Sequence, residues 1–330
     1  MGATVKAMLQ REPGAPLEWM DAADPVAGHG EVIVDIVATA VNRADVMQAA
    51  GHYPPPPGEP EIIGLECSGT IVRIGDGVEG WAVGDEVCAL LGGGGYAEQV
   101  AVPAAQLLPV PRGIDLEAAA LLPEAVCTVW TSIRDTAPAT MDSMALVHGA
   151  SGGIGTMAVQ MLTARGYRVA ATARARHHQL VQMLGAEVAV DYRSEDFVAA
   201  VHAATEGHGA ELIIDVIGAD YLERNLTALA LDGTMTVIAT QGGREARVDL
   251  LRLMQRRATL RAMTLRARPR HGRGSKAEVI QQVRAAVWPL IEEGRVAPVI
   301  GAKLRLQHAN EAHAMMTGGE SPGGKILLVR

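Results

Sequence analysis

The sequence predicts an α/β protein of two domains, one β-rich and one a doubly wound parallel sheet, and three observations carry that prediction. The chain changes character near residue 123: before it short apolar runs alternate with turn residues, and after it strands alternate with helices. A glycine-rich turn, His148-Gly149-Ala150-Ser151-Gly152-Gly153-Ile154-Gly155, stands between an apolar strand and a helix-spaced segment. Length agrees, since 330 residues at ~150 per domain make about two domains.

Before residue 123 the strands are read at 31–37 (EVIVDIV), 69–74 (GTIVRI), 85–90 (DEVCAL) and 96–102 (YAEQVAV), separated by glycine turns such as Gly92-Gly93-Gly94-Gly95. Short strands with such punctuation predict an antiparallel sheet or partly open barrel. Pro54-Pro55-Pro56-Pro57 has no ladder donors and is a loop. Asp45 is expected to cap a helix starting near Val46. After residue 123 the strands are 144–148, 168–172, 187–190, 212–217 and 234–239, with helices at 154–162 and 179–184. The segment 277–292 reads as helical, and the strand 325–329 (KILLV) comes late enough to return to the first domain.

Composition excludes several function classes. Hydrophobic residues are 48% and charged residues 20%, so a large core is available, and with aromatics at 3% it is aliphatic. A net charge of −8 argues against diffuse attraction to nucleic acid or anionic lipid. Cys67, Cys88 and Cys127 are too few for a disulfide framework or a four-thiolate zinc site, which fits a reduced, cytoplasmic protein, and Cys67 and Cys127, with apolar neighbours, read as inert core residues. No signal peptide or membrane span is read, since no window approaches ~18 apolar residues. The ten histidines show no metal-ligand spacing. The basic stretch 261–276 lacks interleaved aromatics and reads as an exposed flexible loop, part of it able to cover the coenzyme as a lid.

The turn carries the chemistry. Gly153-Ile154-Gly155, with Ala158 three residues on, fits G-x-G-x-x-A, the pattern in which small residues let backbone amides and a helix N-terminus meet a pyrophosphate. Ala150, Ser151, Gly152, Gly153, Ile154 and Gly155 are therefore candidate cofactor contacts. An NAD site needs an acidic residue at the end of the second strand. That strand instead runs into Thr172-Ala173-Arg174-Ala175-Arg176-His177-His178, where two guanidinium groups suit a 2′-phosphate and His178 lies beside them. Tyr192, after the third strand, adds a hydroxyl or a stacking face. The expected cofactor is NADP(H).

Asn42-Arg43-Ala44-Asp45, Gly51-His52-Tyr53-Pro54-Pro55-Pro56, Gly64-Leu65-Glu66-Cys67-Ser68-Gly69, the run 80–87 (GWAVGDEV) and the 150–155 turn occur in that order. With them essentially the whole chain resembles the medium-chain dehydrogenase/reductase superfamily, in its zinc-free quinone oxidoreductase (zeta-crystallin-like) branch, and most of all the p53-inducible quinone oxidoreductase-like subgroup. The resemblance implies a GroES-like catalytic domain over 1–123 and 297–330 and a Rossmann dinucleotide-binding domain over 124–296. Zinc-dependent relatives have Cys where Asn42 stands and G-H-E where Gly64-Leu65-Glu66 stands. Asn and Leu supply neither thiolate nor imidazole, and the 87–100 segment holds Cys88 and four glycines in place of a four-cysteine lobe, so both metals are expected to be absent.

The resemblance further implies that Asn42 and Tyr53 line the nicotinamide and substrate cleft between the domains as the catalytic candidates. It matches Thr128 to a nicotinamide contact, and Gly218, Gln241 and Leu265 to positions bordering adenine or nicotinamide. It implies an NADPH-dependent quinone oxidoreductase acting on a small electron-poor acceptor, and a homodimer paired through an edge strand such as 259–264. Reduction of an enoyl or alkenal double bond and NADPH binding without turnover stay open as alternatives, as does one-electron against two-electron reduction.

Overall fold

The computed structural model describes residues 4–136, 138–319 and 321–330. The chain divides into two compact units: the first holds the chain up to Cys127, Leu265–Glu293 and Pro298–Arg330, and the second Thr128–Thr264 and Gly294–Ala297.

The first unit is built on Glu31–Val41, whose aliphatic residues are buried along almost its whole length. It pairs antiparallel with Glu66–Ile74, Gln99–Pro103 and Lys325–Val329, so the C-terminal strand does return to this sheet. Ile300–Arg305, Glu86–Leu90 and Leu107–Pro109 complete the sheet. Val32, Val34 and Ile36 pack with Ile71, Val87, Val100 and Val102 in one core, while Val41 joins Tyr96, Ile326 and Leu328 in another. A hairpin of Thr4–Leu9 and Glu18–Ala23, not expected from the sequence, attaches where Met8 N–H donates to Tyr96 O at 2.8 Å.

Two expectations are corrected here. The helix Arg43–Ala49 starts three residues early, because Asn42 takes the N-cap and Asp45 sits in the first turn, where its Oδ2 accepts from Asn42 N–H at 2.7 Å. The basic stretch is not a free loop. Arg266 is buried and donates to Gly92 O (2.8 Å), Gln48 Oε1 (2.8 Å) and Tyr53 O (3.3 Å). Arg270 reaches Glu31 and Glu59, and the fully buried Lys276 reaches Glu59 at 2.8 Å. These acceptors all lie in the first unit, which is why Leu265–Glu293 clusters there and not, as the sequence suggested, with the parallel sheet. The helix read over 277–292 is in fact two, Lys276–Ala286 and Trp288–Glu292, with Pro289 in the first turn of the second.

The second unit alternates β1 (Met144–Val147), α1 (Gly153–Ala164), β2 (Arg168–Ala173), α2 (His178–Met183), β3 (Val188–Asp191) and α3 (Phe197–Ala204). It continues with β4 (Ala210–Asp215), α4 (Ala219–Ala228), β5 (Leu229–Val237), α5 (Leu250–Arg256) and β6 (Thr259–Ala262). All pairings are parallel and the spatial order is 3-2-1-4-5-6, that of a Rossmann sheet. Helices cover the centre of the sheet, so its inner strands are mainly apolar: Leu146, Ala170, Val190, Ile213 and Met235 pack on Phe197, Leu222 and Leu226. Among the described residues no helix is long and apolar enough to cross a membrane.

Burial pushes the Glu59 carboxyl up, but hydrogen bonds and charge from Lys276 and Arg270 outweigh it and hold the group below its ordinary value of 4.5. The stabilisation is thus complete above that value and is lost as the pH falls through the lowered one. Lys276→Met should cost about 3 kcal/mol at pH 7, the penalty for breaking a buried pair, with a flatter acid dependence than wild type. Urea unfolding across pH 3–7 measures both, and an unchanged midpoint would show the pair to be dispensable.

Candidate functional site

The glycine-rich turn sits where the strand order reverses, between β1 and β4. His148 N–H donates to Ile214 O (3.0 Å), and Ala150 N–H to Thr172 O (3.0 Å). Gly149 adopts φ +62°, and Gly152 N–H closes the turn on Gly149 O at 3.0 Å. α1 then passes so close that a Cβ on Gly155 would lie 2.2 Å from Gly149 O, so no residue but glycine fits without moving the backbone. The amides of Gly149, Ala150 and Gly152 are bonded within the protein. Those of Gly153, Ile154 and Gly155 form the first turn of α1 and have no intrahelical acceptor. Three amides at a helix N-terminus beside a cradle that a Cβ would fill fit a diphosphate.

The neighbouring strand ends add the other candidates. Arg174 follows β2 and donates from Nε to the Tyr192 hydroxyl at 3.1 Å, so the tyrosine orients the guanidinium. Arg176 lies two residues on, with Nε at 3.1 Å from His177 Nε2, and His178 opens α2 with Nε2 at 3.3 Å from Ala173 O. β2 ends without a carboxylate of its own, as the sequence shows, but Asp191 at the end of β3 reaches it. Its oxygens accept from Arg193 N–H (3.1 Å) and Ala175 N–H (3.3 Å), which hold the carboxyl below its ordinary range. Gly218 follows β4 at φ +85° and caps α4. Its amide and that of Ile217 donate to Asp215 at 3.0 and 2.8 Å. Burial raises Asp215 to about 6 against those two bonds. Gln241 is exposed after β5 and its N–H donates to Val216 O at 3.3 Å. The sequence reading missed Asp215, whose signal was an acid closing the apolar run of β4. Thr128, the first residue of this unit, is buried on the helix Pro123–Ile133.

Asn42, Tyr53 and Leu265 belong to the first unit. Leu265 is buried. The Tyr53 ring faces the Arg266 guanidinium, 5.4 Å from carbon to ring centroid. The Asn42 amide is already engaged: Nδ2 donates to Glu66 Oε1 at 2.7 Å, and Oδ1 accepts from Lys325 Nζ at 3.1 Å. Lys325 also pairs with Glu66, whose other oxygen accepts from Glu124 N–H at 2.9 Å. The expectation that Asn42 offers an amide donor is thus corrected, because the buried carboxylate takes it. Neither Glu66 nor Lys325 was singled out in the sequence; the signal was a lysine opening an otherwise apolar strand. Asp45 is fully buried, and desolvation raises it to about 7, aided by the nearby Glu66 charge. The same two causes raise Glu124 to about 8. The three cysteines are buried and free, and burial pushes their thiols up. Among the described residues no group of three or more His, Cys, Asp or Glu could hold a metal ion.

Two family models match the chain, the alcohol dehydrogenase GroES-like domain over residues 28–112 and the zinc-binding dehydrogenase domain over residues 153–283. A quinone oxidoreductase of Rattus norvegicus is 27% identical over 311 residues, covering 94% of this chain and 92% of the relative. A trans-enoyl reductase of Aspergillus terreus is 32% identical over 231 residues, covering 64% of this chain and 76% of the relative. A mycobacterial protein solved in complex with NADPH is 27% identical, with a TM-score of 0.86 and 99% of each chain covered.

Folded Asp45 keeps its proton to about pH 7, whereas an unfolded aspartate releases it near 3.8. The folded state binds more protons between those values, so this group lowers stability as the pH rises through them. Asp45→Asn retains an acceptor for Asn42 N–H and removes the titration. Its stability relative to wild type should rise by about 2 kcal/mol or more between pH 4 and pH 8, read by urea unfolding at both; a constant difference would mean that Asp45 is ionised throughout.

Proposed function

This chain belongs to the medium-chain dehydrogenase/reductase superfamily, in its quinone oxidoreductase-like branch, and on that premise we propose that it is a zinc-independent, NADPH-dependent reductase of quinones. The observation that carries the coenzyme choice is the end of β2, where Arg174, oriented by Tyr192, and Arg176 stand in place of a ribose-binding acid. The NADPH complex of the mycobacterial relative supports it. When bound, the reduced nicotinamide supplies hydride to an electron-poor acceptor.

The protein's own residues position and shield. The amides of Gly153–Gly155 hold the pyrophosphate, Arg174 and Arg176 the 2′-phosphate, and Asp215 fixes the backbone after β4 through the amides of Ile217 and Gly218. In the first unit Asn42, clamped between Lys325 and Glu66, is a fixed wall, and Tyr53, whose ring faces Arg266, is the residue assigned to the substrate side. An ammonium and an amide are not zinc ligands, and Lys325 occupies the carboxylate that a metal would need, which supports zinc independence. A quinone accepts its protons from water, so no buried acid is required.

The trans-enoyl reductase relative, at 32% identity, favours a second reading, reduction of an activated carbon–carbon double bond. That reaction needs a proton delivered to carbon, and Tyr53 would be its donor.

We also propose that two copies pair through β6. This strand is the sheet edge, bonded only to β5 among the described residues, and Leu250, Leu251, Met254 and Leu260 beside it are exposed.

Initial rates with NADPH and NADH, using 1,2-naphthoquinone and a 2-alkenal with a chelator present, test the function. Chelator-resistant turnover of the quinone with NADPH is expected, and Arg174→Ala should raise the NADPH KM ~10-fold while hardly changing that for NADH. Turnover of the alkenal alone, lost in Tyr53→Phe, would favour the second reading, and bound NADPH without turnover would overturn both. Leu260→Lys should shift the protein from dimer to monomer in sedimentation velocity; a monomeric wild type would refute the pairing.

A further inference from the structure

Beneath the turn lies a hydrogen-bonded chain to which the function above gives no role. His148, the residue between β1 and Gly149, is fully buried. Its ring stands edge-on to Phe197 and Tyr221, with centroids 4.8 and 4.9 Å away. Nε2 lies 2.7 Å from Asn225 Oδ1 on α4, and Nδ1 lies 3.0 Å from Thr172 Oγ1 on β2. The same hydroxyl oxygen accepts from Gly149 N–H at 3.3 Å.

With the Asn225 oxygen turned to the ring, a neutral imidazole satisfies these contacts in one arrangement of hydrogens. Asn225 Oδ1 has lone pairs alone, so Nε2 carries the ring proton and donates it. A neutral ring then offers Nδ1 as an acceptor, which takes the Thr172 hydroxyl hydrogen. The hydroxyl oxygen is left to accept from Gly149. Burial lowers the imidazole to about 4, with the Asn225 bond opposing and the Arg224 charge assisting, so the neutral form holds at ordinary pH. Asn225 keeps its oxygen toward the ring although its Nδ2 is buried with no hydrogen-bond partner among the described residues.

The chain ties together three segments that carry coenzyme candidates. Gly149 opens the glycine-rich turn, Thr172 stands two residues before Arg174, and Asn225 lies on the helix that Gly218 caps. Resting on the coenzyme reading above, we infer that His148 is a positioning residue for the dinucleotide: its Nε2–H tautomer locks the turn, the end of β2 and α4 in the one register that presents the Gly153–Gly155 amides and Arg174 together. Loss of Nδ1 would release the Thr172 hydroxyl to rotate and so loosen its hold on Gly149.

The two amide replacements of His148 separate its two contacts. In His148→Asn the side-chain oxygen falls near the place of Nδ1 and can take the Thr172 hydroxyl. In His148→Gln the amide reaches the place of Nε2, keeps Asn225 and loses Thr172. NADPH titrations of the full chain, followed by coenzyme fluorescence, should show ~5-fold or greater weakening in His148→Gln and in the near-isosteric Thr172→Val, the loss expected for one buried hydrogen bond. His148→Asn and Thr172→Ser should stay within ~2-fold of wild type. At saturating NADPH kcat should change little, and the urea midpoints of His148→Asn and His148→Gln should agree, since each lacks one ring contact. Equal weakening in those two variants, or full affinity in Thr172→Val, would overturn the inference. A folded wild type that takes up no NADPH would instead overturn the coenzyme reading on which it rests.

Discussion

Glu66 is the buried charge around which the first unit closes. Its two oxygens take the Asn42 amide, the Lys325 ammonium and the Glu124 N–H, which come from the end of the long central strand, the C-terminal strand and the start of the helix Pro123–Ile133. A carboxylate removed from water is tolerated only when its lone pairs are met, so these segments must arrive together or not at all. The same charge bears on Asp45 and Glu124 and helps keep both protonated near neutrality. The interior therefore holds one paired anion and two carboxyls whose ionisation it opposes, an arrangement that sets the electrostatics around Asn42.

In the second unit the governing constraint is steric. The strand order reverses beside β1, and at that point the chain must turn and start a helix within van der Waals contact of itself. Glycine at 149 and 155 makes that possible, and the unsatisfied amides of α1 follow from it. What the protein contributes to the proposed chemistry is accordingly placement: amides, guanidinium groups and strand ends held in register, with His148, Tyr192 and Asp215 as the supports behind them.

Much of this was legible in the chain. The alternation after residue 123 and the G-x-G-x-x-A turn are local signals, because their periodicity and backbone demands lie within a few consecutive residues. Arg174 and Arg176 could be read as coenzyme groups because the Rossmann topology places the end of the second strand at the ribose. The helix start at Arg43 was misplaced because Asn42 and Asp45 both make good caps, and only the backbone at the helix entrance decides which residue holds the N-cap position.

The rest required the tertiary structure. Lys325 and Glu66 lie 259 residues apart, Arg266 and Gln48 lie 218 apart, and His148 and Asn225 lie 77 apart. No propensity or spacing encodes such pairings, since each depends on which faces the folded sheets bring together. A basic stretch that looks solvated in the sequence becomes an anchored segment once Glu31 and Glu59 meet it, and an asparagine that looks like a substrate donor proves to be occupied. The chain by itself determined the class of fold and the place of the phosphate turn, both products of local sterics and hydrophobic period. Which polar side chains were engaged inside was decided only by packing, because burial favours those polar groups that find a partner where the fold supplies one.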